Sequence, residues 1–150
     1  MADYRPPVGF HFRVEFLDIQ TVDNDQLFQT VSGLNVSMGT ETVKEGGENR
    51  FEHVLPARSK YTDLVLKRGV LTDSGVISWC RRAMESYEFE PTTVLVHLLN
   101  EKHEPLLTWN VVHAWPKKWT VGELNAEQSG VLIETLELNY TFFTVNHSSP

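Results

Sequence analysis

A chain of 150 residues with 41% hydrophobic and 22% charged side chains is sized for one domain with its own core, and it needs neither metal nor disulfide to fold. Its formal charge of -7 and pI near 5.3 argue against general nucleic-acid binding, which goes with basic domains. A single cysteine, Cys80, excludes a disulfide framework within the chain.

The opening MADYRPPVGF has no apolar core of a secretory signal, so the expectation is a chain made in the cytoplasm that leaves, if at all, by a signal-free route. No apolar run approaches the roughly 20 residues of a membrane span, so no stable membrane insertion is expected. The sequons at Asn35, Asn139 and Asn146 are read as chance matches. One domain over 1–150 is expected, with loose ends at about 1–8 and 145–150.

Along the chain, FHFRVEFL alternates, with Phe10, Phe12, Val14 and Phe16 on one side and His11, Arg13 and Glu15 on the other. Side chains switch faces at each residue of a strand, so this is a half-buried strand. The stretch LFQTVSGLNVSMGTETVKEGGENRFEHVLPA reads as a long hairpin. Its tip carries Gly46 and Gly47, which tolerate positive φ, among the charges Lys44, Glu45, Glu48 and Arg50.

YTDLVLKRGV follows as a strand stopped by Gly69. In TDSGVISWCRRAMESYEF the period changes to that of a helix. Val76, Cys80, Ala83 and Tyr87 recur every three to four residues, with Ile77 and Met84 beside them. The expected helix core is Val76, Trp79, Cys80 and Met84, with Asp73 or Ser74 as N-cap and Pro91 barring continuation.

TTVLVHLLNEKHEPLLTWNVVHAW reads as two strands around the turn Asn100–Pro105. PKKWTVGELNAEQSG reads as a connection, and VLIETLELNYTFFTV as one final strand with Leu136, Leu138, Tyr140 and Phe142 on one face. One helix cannot cover a parallel sheet. The expected fold is mainly β: an antiparallel sandwich or small barrel with one packed helix and a protruding hairpin.

Chemistry is sparse. The six histidines form no HExxH and no pair at helical metal spacing, so no metal is expected. Cys80 sits on the apolar stripe, where a thiol behaves as a small hydrophobe rather than a nucleophile. The glycines of KEGGENR lack a following helix and the phosphate-loop pattern, so a turn accounts for them. No cofactor and no catalytic residue is expected. Glu134 shares parity with Leu136 and Leu138, where a carboxylate is costly unless paired; Arg58 and Lys118 are candidate partners.

LPARSKYTDLVLKRGV gathers Arg58, Lys60, Lys67 and Arg68, four of the thirteen basic residues. With Tyr61 as its single aromatic it is no single-strand nucleic-acid platform. A solvated face and a protein interface both fit.

The order FHFRVEF, FQTVSGL, KEGGEN, LPARSKYTDLVLKRGV, SWCRRAM and AWPKKWTVGELNAEQSGVLIETLELNYTFF resembles the tail-tube (gp19-like) family of contractile phages and phage-like extracellular contractile injection systems, from about Phe10 to Phe143. LPARSKYTDLVLKRG and the Trp115–Trp119 stretch are its most specific parts. The resemblance implies a structural, non-enzymatic subunit of hexameric rings that stack into a hollow inner tube, which a sheath drives through a target membrane. It implies a channel lined by strands of six subunits and a hairpin reaching a neighbouring subunit or ring.

The implied partners are further copies of itself, sheath and baseplate or spike proteins, and effectors or DNA in the lumen. The implied setting is a particle assembled in the cytoplasm and releasable from the cell. A tube-initiator, baseplate or terminal adaptor ring is the second reading. A small ligand-binding β-barrel, which would need a pocket with convergent polar groups, is the third.

On the tube reading, Lys44, Glu45, Gly46, Gly47, Glu48, Arg50, Arg58, Lys60, Lys67 and Arg68 are expected at subunit or ring contacts, because acidic copies need local complementarity to associate. The polar positions Thr135, Asn139 and Thr141 suit a wet channel wall or a polar partner.

Overall fold

Alternation produces the first strand as expected: in β1 (Phe12–Phe16), Val14 and Phe16 are buried and Phe12 packs beside them. The computed structural model describes residues 11–43, 46–47, 52–127 and 130–147. Among these, a 3-10 turn (Asp23–Gln26) follows β1. Next come β2 (Thr30–Ser32), β3 (Val36–Val43), β4 (His53–Tyr61) and β5 (Leu64–Gly69). The helix α1 (Gly75–Ser86) precedes β6 (Thr92–Leu99), β7 (Pro105–Val121), β8 (Ile133–Asn139) and β9 (Phe142–His147).

The fold is mainly β and antiparallel, with one helix among the described residues. One sheet runs β1-β6-β7-β8-β5-β2, with β9 also on β7; β3 and β4 pair only with each other. The path starts at β1 and ends at β2 without joining them, so the barrel is not closed.

β7 holds the two halves together. Residues 107–112 pair with β9, 105–114 with β6, and 115–121 with β8. Between the Val94–Val111 and Thr92–Ala114 pairs β7 advances three residues where β6 advances two, and His113 takes φ 60. Such a bulge bends a strand and lets it change sheets. PKKWTV is therefore the continuation of β7 and not the start of a connection.

The final segment also departs from expectation. It is two strands, broken at Tyr140–Thr141, because β8 pairs with β5 and with residues 115–121 of β7 while β9 pairs with residues 107–112, before the bend in β7. The break resets parity: Tyr140 and Phe143 join the core, whereas Phe142 is exposed. β9 runs to His147, so 145–147 lie in a strand; 1–8 and 148–150 are outside the described residues.

β2 is not part of the hairpin. It pairs with β5, and Gly33 (φ 92) makes the turn out of it. A Cβ at Gly33 would lie 1.9 Å from the Asp63 carbonyl oxygen, so only glycine fits there.

The core joins Val14 and Phe16, Leu64 and Leu66, Val94 and Val96, Leu136 and Leu138, with α1 packed on them. Ser74 caps the helix by accepting from the Ile77 N–H at 3.2 Å, and Tyr87 (φ 56) ends it in the left-handed conformation. The Trp79 ring meets Phe16 edge-on at 5.9 Å, and its Nε1–H donates to the Glu90 carbonyl at 2.7 Å. The buried stripe is Val76, Trp79, Cys80 and Ala83. Met84, expected with them, is 41% exposed: one step past Ala83 turns it about 100° out of the stripe.

Candidate assembly surfaces

The β3–β4 hairpin leaves the sheet at Val36 and Tyr61 and carries apolar side chains into solvent. Val36, Met38, Val43, Val54 and Leu55 are between 45% and 63% exposed. Two strands alone cannot bury both of their faces. Gly46 and Gly47 form a turn, with Gly47 at φ 92. Lys44, Glu45, Glu48 and Arg50 lie outside the described residues.

The basic segment is divided between two sheets. Arg58 and Lys60 sit on β4, opposite the β3 arm, and both are exposed. Lys67 is exposed on β5, across from Thr30 and Thr135. None of the three makes an ion pair within the described residues.

Arg68 does not belong with them. It shares parity with Leu64 and Leu66, points into the protein and is 3% exposed. Its Nε–H donates to Glu134 Oε1 at 2.8 Å, Nη1 to Asp25 Oδ1 at 3.2 Å, and Nη2 to Ser74 Oγ at 2.8 Å. The guanidinium also lies 4.7 Å from the Phe28 ring centroid. An arginine so enclosed cannot face another subunit.

Both carboxylates around it are satisfied. Glu134 Oε2 accepts from Trp119 Nε1–H at 3.0 Å. Asp25 Oδ2 accepts from the Val22 and Gly75 N–H groups at 2.9 and 2.8 Å, and Oδ1 also accepts from the Ser74 hydroxyl. Burial pushes the Asp25 carboxyl up, but these bonds and the Arg68 charge outweigh it and hold it below the ordinary carboxylate value. The network ties the loop after β1, the helix N-terminus, β5, β7 and β8 together. Gly75 allows the approach, since a Cβ there would lie 1.7 Å from the Gln20 carbonyl oxygen.

The partner of Glu134 is thus Arg68, neither Arg58 nor Lys118. Lys118 meets Glu137 instead, at 3.8 Å on the surface. The parity that marked Glu134 as buried marks Arg68 too, and the two are direct cross-strand neighbours. Asp25 left no comparable signal, because it lies in an irregular segment.

The outward face of the β1-β6-β7-β9 half is polar with balanced charge. One cross-strand row is Arg13, His97, Thr108 and Asn146; the next is Glu15, Leu95, Asn110 and Thr144. Arg13 Nη2 and Glu15 Oε1 are 3.2 Å apart, Glu15 Oε2 and His97 Nε2 3.5 Å, and His97 Nδ1 and Thr108 Oγ1 2.8 Å. The outer edges of β1 and β9 pair with no other strand among the described residues. Thr135 and Asn139 lie on the other half, where Asn139 donates to Asp63 at 3.1 Å.

Comparison with known proteins gives a consistent result. The family model described as T4-like virus tail tube protein gp19 matches residues 8–144. A chain in the 6-fold symmetrised cryo-EM structure of the anti-feeding prophage baseplate is 34% identical, over 97% of this chain and 98% of that one, with a TM-score of 0.87. A chain of the anti-feeding prophage tube-terminating cap is 22% identical over 99% and 95%, with a TM-score of 0.83. A chain of the PVC sheath-tube complex, an extracellular contractile injection system in its extended state, is 24% identical over 95% and 93%, with a TM-score of 0.78. The last two likenesses speak for the fold alone. No curated protein matches.

Proposed function

The chain belongs to the T4-like virus tail tube protein gp19 family, and from that premise we infer that it is a structural subunit of the inner tube of a contractile injection system or phage tail, forming hexameric rings that stack into a hollow tube. The observation that carries this is the match over residues 8–144, joined to 34% identity with a chain of a 6-fold symmetrised particle.

The surfaces support it. The β1-β6-β7-β9 half has free edges of five and six residues, which invite pairing with another copy. Paired edge to edge around a ring, these four strands line the channel. Their balanced polar outer face then lets charged cargo of either sign pass without a strong wall field. The cargo is polypeptide effector or DNA. The outside of the tube meets the sheath, and its lower end meets the baseplate.

Assembly takes place in the cytoplasm. No described helix is long and apolar enough to cross a membrane. The subunit's role is mechanical and involves no bond-making chemistry.

A second reading has a specific observation behind it. Similar chains occur in a baseplate and in a tube-terminating cap, so an initiator or adaptor ring of the same fold is the alternative. Electron microscopy of the purified protein tests both. Tubes of many stacked rings are expected; single rings that never stack would favour the adaptor, and monomers at all concentrations would overturn both. Copy number per particle separates the two readings: a tube subunit recurs in every layer, an initiator in one.

A further inference from the structure

We propose that His11 and His103 together bind a divalent transition-metal ion, Cu²⁺, Ni²⁺ or Zn²⁺, one per subunit. The site lies within a single chain and stands independently of the tube reading.

Far apart in sequence, and so outside any spacing motif, the two histidines meet at one end of the β1-β6-β7-β9 half. Phe12 pairs with Leu98, and the Leu99 N–H donates to the His11 carbonyl at 2.8 Å, which places His11 beside the end of β6. His103 sits in the turn from β6 to β7, at φ 63. Backbone bonds hold that turn: the Asn100 N–H donates to the Glu104 carbonyl at 2.9 Å, and the His103 N–H to the Asn100 carbonyl at 3.0 Å. Asn100 Oδ1 adds to them by accepting from the Lys102 and Glu104 N–H groups at 2.8 and 2.9 Å. Both backbones are therefore fixed, and the two imidazoles stand with centroids 4.4 Å apart and planes at 89°.

Two imidazole nitrogens that share one ion at about 2.0–2.1 Å lie about 3.3 Å apart in a tetrahedral arrangement. Rings with centroids 4.4 Å apart reach that separation by turning in place. Neither side chain makes a hydrogen bond or ion pair among the described residues, so the ring nitrogens are open to a ligand. His11 is half-buried and His103 exposed, which leaves the rings room to turn and lets water complete the coordination. No third His, Cys, Asp or Glu of the described residues joins them. Two nitrogen donors with water select Cu²⁺, Ni²⁺ and Zn²⁺ over Mg²⁺ and Ca²⁺, which take oxygen ligands.

Charge favours a cation here. Glu101 and Glu104 are exposed in the same turn against one Lys102, and Arg13, on the same face as His11, is offset by Glu15 at 3.2 Å. A bound ion ties the β6–β7 turn to the start of β1 and stabilises the folded subunit increasingly with its concentration. His11 shares parity with Arg13 and Glu15, on the face that lines the channel in the tube reading. A 6-fold ring then carries six such sites around its channel.

The test uses the full chain, freed of metal with EDTA and then titrated with the chlorides of copper, nickel, zinc or magnesium by calorimetry and thermal melting. One Cu²⁺ per chain is expected, with Ni²⁺ and Zn²⁺ weaker, a rise in melting temperature with each of the three, and none with Mg²⁺. His11→Gln and His103→Gln should each weaken Cu²⁺ binding by about tenfold or more. His147→Gln, at the exposed end of β9, should leave it unchanged. Melting in EDTA reports whether the variants fold as the wild type does. Electron paramagnetic resonance of the Cu²⁺-loaded wild type needs no variant, and splitting from two equatorial nitrogens is expected. Cys80 is buried and does not compete for the ion. No binding up to millimolar ion, binding that survives both substitutions, or a spectrum with a single nitrogen would overturn the proposal and leave the two rings as a packing pair alone.

Discussion

Arg68 and Glu134 face each other across the β5–β8 pair, with Arg68 Nε–H donating to Glu134 Oε1 at 2.8 Å, and both side chains are almost wholly enclosed. A buried ion pair adds little net stability over apolar packing, but breaking one leaves a charge in a medium that cannot solvate it. Here the arginine also positions Ser74, the cap of α1, and Asp25, the anchor of the loop after β1. The pair therefore holds helix, loop and sheet in one arrangement.

Arg68→Met is expected to destabilise the subunit by about 3–5 kcal/mol, because Asp25 and Glu134 keep their burial and lose their cation. Denaturant unfolding of unassembled protein measures it. A loss under about 1 kcal/mol, as for a surface pair, would contradict the enclosed geometry.

The Asp25 carboxyl is held below its ordinary value, so its contribution is present at neutral pH and disappears as pH falls. The loss begins near the unfolded carboxylate value of about 3.9 and is complete below the lower folded value. Asp25→Asn should be less stable than wild type near neutrality, and the gap should narrow on acidification through that window. Urea midpoints measured across the acid range check this; a gap that stays constant with pH would count against it.

Trp79→Ala is expected to cost about 3–5 kcal/mol, since the indole is enclosed, packs on Phe16 and donates to the Glu90 carbonyl. Met84→Ala, on the open side of the same helix, should change stability by no more than about 0.5 kcal/mol. Thermal melts of the two variants side by side make the comparison, and equal losses would mean that the stripe is misassigned.

Burial pushes the Cys80 thiol up to about 12, with the Glu134 charge adding to the rise and Arg68 opposing it. The native protein should therefore resist thiol-reactive dyes at mildly alkaline pH and react stoichiometrically once unfolded. Rapid labelling of the folded subunit would show that α1 opens readily from the sheet.

Local pattern alone determined much of this protein. Alternation of period two marked β1 and β8, apolar stretches between turn signals marked β5 and β6, and the shift to helical period marked α1 with Asp73 or Ser74 at its start. The paired glycines marked the hairpin turn, and the order of motifs along the chain carried the family. These follow from the sequence because each depends on neighbours a few residues apart.

The tertiary structure decided what depends on distant partners. PKKWTV continues β7 because β8 offers it a register. The last segment breaks at Tyr140–Thr141 because its two parts pair with stretches of β7 before and after its bend. Four basic residues close in sequence separate for the same reason. Arg58 and Lys60 ride on a hairpin that pairs only with itself, and Lys67 stays outside. Arg68 turns inward to a glutamate 66 residues away. Charge is a local property of the sequence, but whether it meets water, another subunit or a buried carboxylate is fixed by strand register, which no short stretch contains.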